Sequence, residues 1–299
     1  MIYKKLYILI PLFALLLASC NHKELCFHHD HRVTIRVKFD WQLEPDAHGD
    51  VRSMCVIFYP VEEGKTPVRF DFNNPEGGEV YLEPGEYKVI TRNTDSDDVD
   101  LIKGLGDFET YEVYTRECNI FEPIYGNGAG LPPTRDDAYG CHLTFEPVYT
   151  DHLMDLTVTE EGVSYHFCAD HNPSGMEEPD MSHTIWLIPE KRTATYEYEI
   201  RNVTNLRSVA QMTASMTGMC DGLLLGHFTL DHSATVEMPF EAHNERNTEI
   251  TGKFCALEYC RDHNPNMKLY VYMWLKDGQQ IYYVWDVTEQ VQASTDRYY

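Results

Sequence analysis

The chain has 299 residues, with 48 acidic against 24 basic side chains and a formal net charge of −24. A surface of that sign repels phosphate backbones and the anionic faces of membranes, which excludes nucleic acid as a partner. The length is ample for a packed core, and more in keeping with two domains than one.

Residues 1–19 read as a lipoprotein signal peptide: Lys4 and Lys5, an apolar run from Leu6 to Leu17, then Ala18 and Ser19 before Cys20. Twelve apolar residues make a helix of about 18 Å, too short for a hydrocarbon core of roughly 30 Å. The "LASC" exit (Leu17 to Cys20) resembles the lipobox of bacterial lipoproteins, whose cysteine thiol takes a diacylglyceryl group and becomes the new N-terminus. Cys20 is therefore the expected lipidation site, and two or three acyl chains, at about 0.8 kcal/mol per buried methylene, give a stable anchor. The alternative is an ordinary signal peptide with a coincidental cysteine. Residues 20–31 then form a lipidated tether, which contains His22, Cys26, His28, His29 and His31. Thiolate and imidazole suit zinc or copper, but the spacing matches no closed metal motif, so a polar tether is the expectation and no metal site is assigned.

From Arg32 the pattern is that of β-structure. "RVTIRVKFDW" alternates Val33, Ile35, Val37 and Phe39 against Thr34, Arg36, Lys38 and Asp40. "MCVIFYP" and "VRFDF" read as further strands, and "EVYLEPGEYKVITRN" as two strands in a hairpin about Pro84-Gly85. "DSDDVD" (Asp95 to Asp100) fails the ligand pattern of an EF-hand and reads as a solvated acidic turn. "LIKGLGDFETY" reads as a short helix, and Glu122 to Gly140, rich in glycine and proline, as a long irregular loop.

A second β series opens with "CHLTFEPVY" and "DLTVTEEGVSYHF", and "ADHNPSGMEEPDMSH" is another loop. In the strand that follows, Thr195, Glu197 and Glu199 face one way and Tyr196, Tyr198 and Ile200 the other. "KLYVYMWLKDGQQIYYVWDV" is a hairpin through Asp277-Gly278, and Asp286 is placed to cap a final helix in "DVTEQVQA". The expected fold is all-β, with one β-sandwich at residues 32–145 and a second at 146–299.

Eight cysteines follow Cys20 (Cys26, Cys55, Cys118, Cys141, Cys168, Cys220, Cys255 and Cys260), enough for four disulfides. Several sit in apolar runs, so buried thiols are expected over a full disulfide framework. There is no HExxH, GxSxG, phosphate loop or CxxC, and "GNGAG" (Gly126 to Gly130) lacks the dinucleotide spacing. Nothing singles out a carboxylate pair, so no catalytic residue and no cofactor is assigned and the chain is read as a non-enzyme. Tyr270, Tyr272, Trp274, Tyr282, Tyr283 and Trp285 offer a sugar-stacking platform, although cross-strand packing is the commoner use of such residues.

The lipobox cysteine, "HKELCFHHDHRVTIRVKFDW", "LEPGEYKVITRN", "NVTNLRSVAQMTASMTGMCDG" and "LYVYMWLKDGQQIYYVWDVTEQV" together resemble the fimbrillin-related surface lipoproteins of the Bacteroidales, in particular the minor, anchor-type branch of the type V fimbrial system. That resemblance implies two tandem transthyretin-like (Ig-like) β-sandwiches in a pilus anchor of the outer membrane, lipid-anchored and at the cell surface. It further implies fimbrial shaft subunits as partners, joined by β-strand addition at edge strands of the second domain, and outer-membrane lipid held through acylated Cys20. A cell-adhesion protein or a glycan-binding surface lipoprotein is the alternative. The eight further cysteines and the histidine cluster belong to no fimbrial mechanism.

Overall fold

The computed structural model describes residues 32–96, 100–125, 140–166, 183–231, 233–260 and 266–293. The tether cluster, Cys20 and Cys168 lie outside them. The fold is all-β. The first sandwich packs a three-stranded sheet on a six-stranded one. In the smaller sheet, β1 (Val33–Phe39) runs between β4 (Gly77–Leu82), antiparallel, and β11 (Thr184–Leu187), parallel. The alternation read from β1 is what the structure uses: Val33, Ile35, Val37 and Phe39 are buried and Thr34 and Arg36 exposed.

The larger sheet contains β2 (Met54–Pro60), β3 (Val68–Phe72), β5 (Gly85–Asn93), β9 (Tyr149–Thr159) and β10 (Gly162–Tyr165), ordered β10-β9-β5-β2-β3, with β12 (Glu190–Lys191) also on β9. Its inner face buries Met54, Val56, Phe58, Val89 and Leu156 against Ile35, Val80, Leu82 and Ile185. The outer face is covered as well. Ile57, Tyr59 and Ile90 pack under Phe108, Tyr111 and Val113, which is why "MCVIFYP" is apolar without alternation.

That cover is a third sheet, β16-β15-β7-β6, made of β6 (Asp100–Lys103), β7 (Glu112–Thr115), β15 (Gly222–Leu224) and β16 (Thr229–Leu230). The helix expected in "LIKGLGDFETY" is instead the β6–β7 hairpin. Its turn depends on Gly104, at φ +70, where a Cβ would stand 1.9 Å from the Thr110 carbonyl oxygen. The "DSDDVD" turn is not wholly solvated either, because Asp100 opens β6 and is 1% exposed. Burial lifts its carboxyl to about 7, against opposing hydrogen bonds from Ser96 and the Glu146 N–H; the Glu146 charge adds to the rise and Arg92 opposes it. A folded-state value raised above the unfolded one gives stability that is complete below about pH 4 and lost as pH rises through about 7. Asp100→Asn should therefore be more stable than the parent at about pH 8, by on the order of 2–4 kcal/mol, and lose that advantage at about pH 4. Urea melts of both chains at the two pH values check this, and a pH-independent difference would contradict it.

The second sandwich faces β21-β20-β14-β17-β8 against β13-β19-β18. The first sheet holds β8 (Gly140–Cys141), β14 (Val209–Met219), β17 (Val236–Glu241), β20 (Lys268–Leu275) and β21 (Gln280–Asp286). The second holds β13 (Ala194–Ile200), β18 (His243–Glu245) and β19 (Glu249–Ala256). Between them lie Ala214, Met216, Met238, Phe240, Leu269 and Val271 against Ile250, Phe254 and Ala256. The Asp277-Gly278 turn joins β20 to β21 as expected, with Gly278 at φ +88. The helices are short: α1 (Ala47–Asp50), α2 (Glu122–Tyr125) and α3 (Thr288–Ala293). Asp286 accepts the Thr288 N–H at 3.0 Å at the start of α3. No helix of the described residues is long and apolar enough to cross a membrane.

The pairing departs from the expected layout in two places. β4 and β5 do not pair with each other but lie in opposite sheets, so Pro84-Gly85 is a corner of the sandwich and not a hairpin turn. The division expected at 145/146 also does not coincide with the sheets. β9, β10 and β11 complete the first sandwich, while β8 runs parallel to β17 in the second. From Val33 onward the chain forms one compact unit.

Candidate functional site

One flank of the second sandwich is open. β13 ends one sheet and β21 ends the other, and among the described residues neither has a strand paired to its outer edge. The seven residues of β13 alternate between half-buried and exposed, with Thr195, Glu197 and Glu199 in solvent and Tyr196, Tyr198 and Ile200 turned inward, as the sequence pattern requires. Between the two edges runs a cavity of about 830 Å³, lined by β13, by Met216, Phe254 and Leu269 at its floor, and by Trp285, Val287, Gln290 and Val291 on the far wall. A second cavity of about 710 Å³, lined by Val203, Leu206, Ile250, Met273, Ile281 and Tyr283, shares Ile200 and Trp285 with the first. The two lie side by side as one groove flanking β13, a strand of seven residues and so about 23 Å long at roughly 3.3 Å per residue.

The groove wall is aromatic and preformed. Tyr196 stacks on Phe254 (centroids 5.2 Å, planes 15° apart), Phe254 on Phe240 (4.2 Å, 10°), and Tyr283 on Trp285 (6.0 Å, 29°). Tyr196 donates a long hydrogen bond to the Leu257 carbonyl at 3.4 Å. The Tyr198 hydroxyl is buried with no hydrogen-bond partner, and burial raises its pKa well above the usual tyrosine value. An unpaired buried hydroxyl costs roughly 1–3 kcal/mol. The lining is not purely apolar: Arg192, Glu197, Glu199, Arg201, Glu258 and Asp286 also border the larger cavity, and Arg201 pairs with Glu199 at 2.6 Å. No set of three or more potential metal ligands occurs among the described residues.

The six aromatics named from the sequence divide between two faces of this sheet. Tyr283 and Trp285 face the groove. Tyr270 and Tyr272 are buried on the opposite face under Ile120 and Phe121, with Trp274 beside them. Tyr282 lies across from Tyr272 and is half exposed. The far wall contributed by α3 was not foreseen; the only hint was the apolar spacing of Val287 and Val291 behind the Asp286 cap.

A family model matches residues 19–241, about three quarters of the sequence and all of the first sandwich. The chain belongs to the family described as a domain of unknown function, DUF5119. Among its relatives is a candidate fimbrium anchoring subunit, Fim4B, of Bacteroides ovatus, 30% identical over 106 residues. That alignment spans 35% of this DUF5119 chain and 30% of the relative, so less than a third of Fim4B is matched. Two solved structures share the fold. A candidate adhesin from Bacteroides ovatus has a TM-score of 0.60 at 20% identity, over 87% of this chain and 84% of that one. A candidate adhesin from Bacteroides thetaiotaomicron has a TM-score of 0.50 at 12% identity, over 85% and 79%. These relatives are named for anchoring and adhesion, not for catalysis.

Proposed function

We propose that this DUF5119 protein is a non-enzymatic surface lipoprotein that anchors fimbriae to the outer membrane, held by acylated Cys20 and joined to a shaft subunit by β-strand addition. The observation that carries this reading is the groove between β13 and β21, where two strand edges unpaired among the described residues flank a cavity with aromatic and aliphatic side chains in its lining. An added strand gains backbone hydrogen bonds along one edge and buries alternate side chains in the interior. The partial kinship with Fim4B supports the fimbrial side of the reading.

Immunogold microscopy on intact cells, with antibody against the body of the chain, tests the role. Label at the feet of filaments is expected. An even coat away from filaments favours the second reading, an adhesin or glycan-binding surface protein, for which half-exposed Tyr282 offers a stacking surface. Lipidation has its own test. Cys20→Ser should abolish incorporation of labelled fatty acid and release the protein from the membrane fraction, whereas undiminished labelling would remove Cys20 as the anchor.

A further inference from the structure

We propose that Cys118 and Cys141 form a disulfide in the exported protein, while the other described cysteines remain thiols. The six described cysteines are thiols in this structure, as the apolar surroundings of several suggested. One pair is set apart by its geometry. Glu117 and His142 form an antiparallel bridge, and the Leu143 N–H reaches the Arg116 carbonyl at 3.0 Å. The next step of that ladder places Cys118 directly opposite Cys141, with the Cys118 N–H on the Cys141 carbonyl at 2.9 Å. Directly opposed residues of a hydrogen-bonded antiparallel pair have Cα atoms about 5.5 Å apart, inside the range a disulfide spans. The two sulfurs are already 3.3 Å apart, and both residues are partly exposed.

No other described pair combines these features. Cys55 is buried opposite Arg92. Cys255 sits on β19 beside Thr193. The Cys220 and Cys260 thiols also share a hydrogen bond, but both are fully buried and belong to different rungs: Met219 bridges Tyr259, so Cys220 faces Glu258 and Cys260 faces Gly218. Burial and Cys260 push the Cys220 thiol far up, which disfavours the reactive thiolate.

The reaction needs a disulfide-bearing oxidant of the thiol-oxidoreductase class. One thiol, as thiolate, attacks the carrier's disulfide and displaces one carrier sulfur; the second thiolate attacks the mixed disulfide and displaces the other. Two protons and two electrons leave the protein, and the carrier departs as a dithiol. The new bond closes the 22 residues from 119 to 140 into a loop. It pins Phe121, which lies edge-on to Tyr272 and Trp274 at 5.5 and 4.7 Å, and it fixes β8, the edge of its sheet remote from β21. Securing that second edge suits a sheet with one docking edge, yet the bond itself does not depend on docking.

The test is peptide mapping of the full chain from the cell-surface fraction, and of the purified reduced chain after oxidised glutathione, with free thiols alkylated before digestion. A linked peptide joining Cys118 to Cys141, lighter by two hydrogens, is expected in both samples. Cys118→Ser should leave Cys141 fully alkylated. The oxidised parent should melt several degrees above its reduced form, a difference absent from the variant. Full alkylation of both cysteines without reduction, or a link from either one to a different cysteine, overturns the proposal.

Discussion

A chain carrying Val291→Trp should fold and melt like the parent and yet capture at least tenfold less fimbrial shaft subunit. Val291 stands on the short exposed helix α3, where its N–H donates to the Val287 carbonyl at 3.0 Å, and it lines the larger cavity of the groove. Val291 is only partly buried at the edge of the core and borders the cavity, so an indole there extends into open space and the cost to folding is modest. A strand lying in the groove would lose that space. Each fully buried apolar side chain contributes about 1.5–3 kcal/mol, and displacing one is enough for a tenfold loss, which corresponds to about 1.4 kcal/mol. Pull-down of shaft subunits by the purified parent and variant measures the effect; equal capture would show that the partner binds elsewhere.

Arg92→Ala should be strongly destabilising, on the order of 2–4 kcal/mol. Arg92 is 2% exposed on the outer face of β5, between the sandwich and its covering sheet. Its Nε–H donates to Tyr111 Oη at 2.8 Å and its guanidinium donates to the Asn93 carbonyl at 2.7 Å. The neighbouring Asn93 continues the seam, donating to the Pro147 carbonyl at 2.9 Å and accepting the Tyr149 N–H at 2.8 Å. Truncation leaves a cavity under Tyr111, removes a hydrogen-bond donor to its hydroxyl, and takes away a positive charge that lowers the pKa of buried Asp100. Chemical denaturation of the variant measures the loss. A change below about 1 kcal/mol would mean that the seam relaxes without it.

Local pattern carried much of this fold, and its failures share a cause. The alternation in Val33 to Phe39 and in Ala194 to Ile200 was legible because one face of each strand meets water or a groove. Asp277-Gly278 was legible because its turn chemistry and its pairing are both local. Pro84-Gly85 has similar turn chemistry, but whether the chain turns within a sheet or across to the facing one depends on where β1 and β2 lie. For the same reason the sheets do not divide at residue 145. β11 pairs with β1 across nearly 150 residues, Arg36 opposite Thr184, and no local signal encodes that register. The groove was half legible: the inward face of Tyr196, Tyr198 and Ile200 could be read, but Trp285 and Val291, which complete it, come from the far end of the chain.

The most direct measurement is photo-crosslinking on fimbriated cells, with a photoreactive residue in place of Ala194 inside the groove and, as control, in place of Leu43, which is half exposed on the first sandwich. A strand-accepting groove requires a shaft subunit crosslinked at 194 and none at 43. A shaft subunit captured at 43, with nothing at 194, would contradict it.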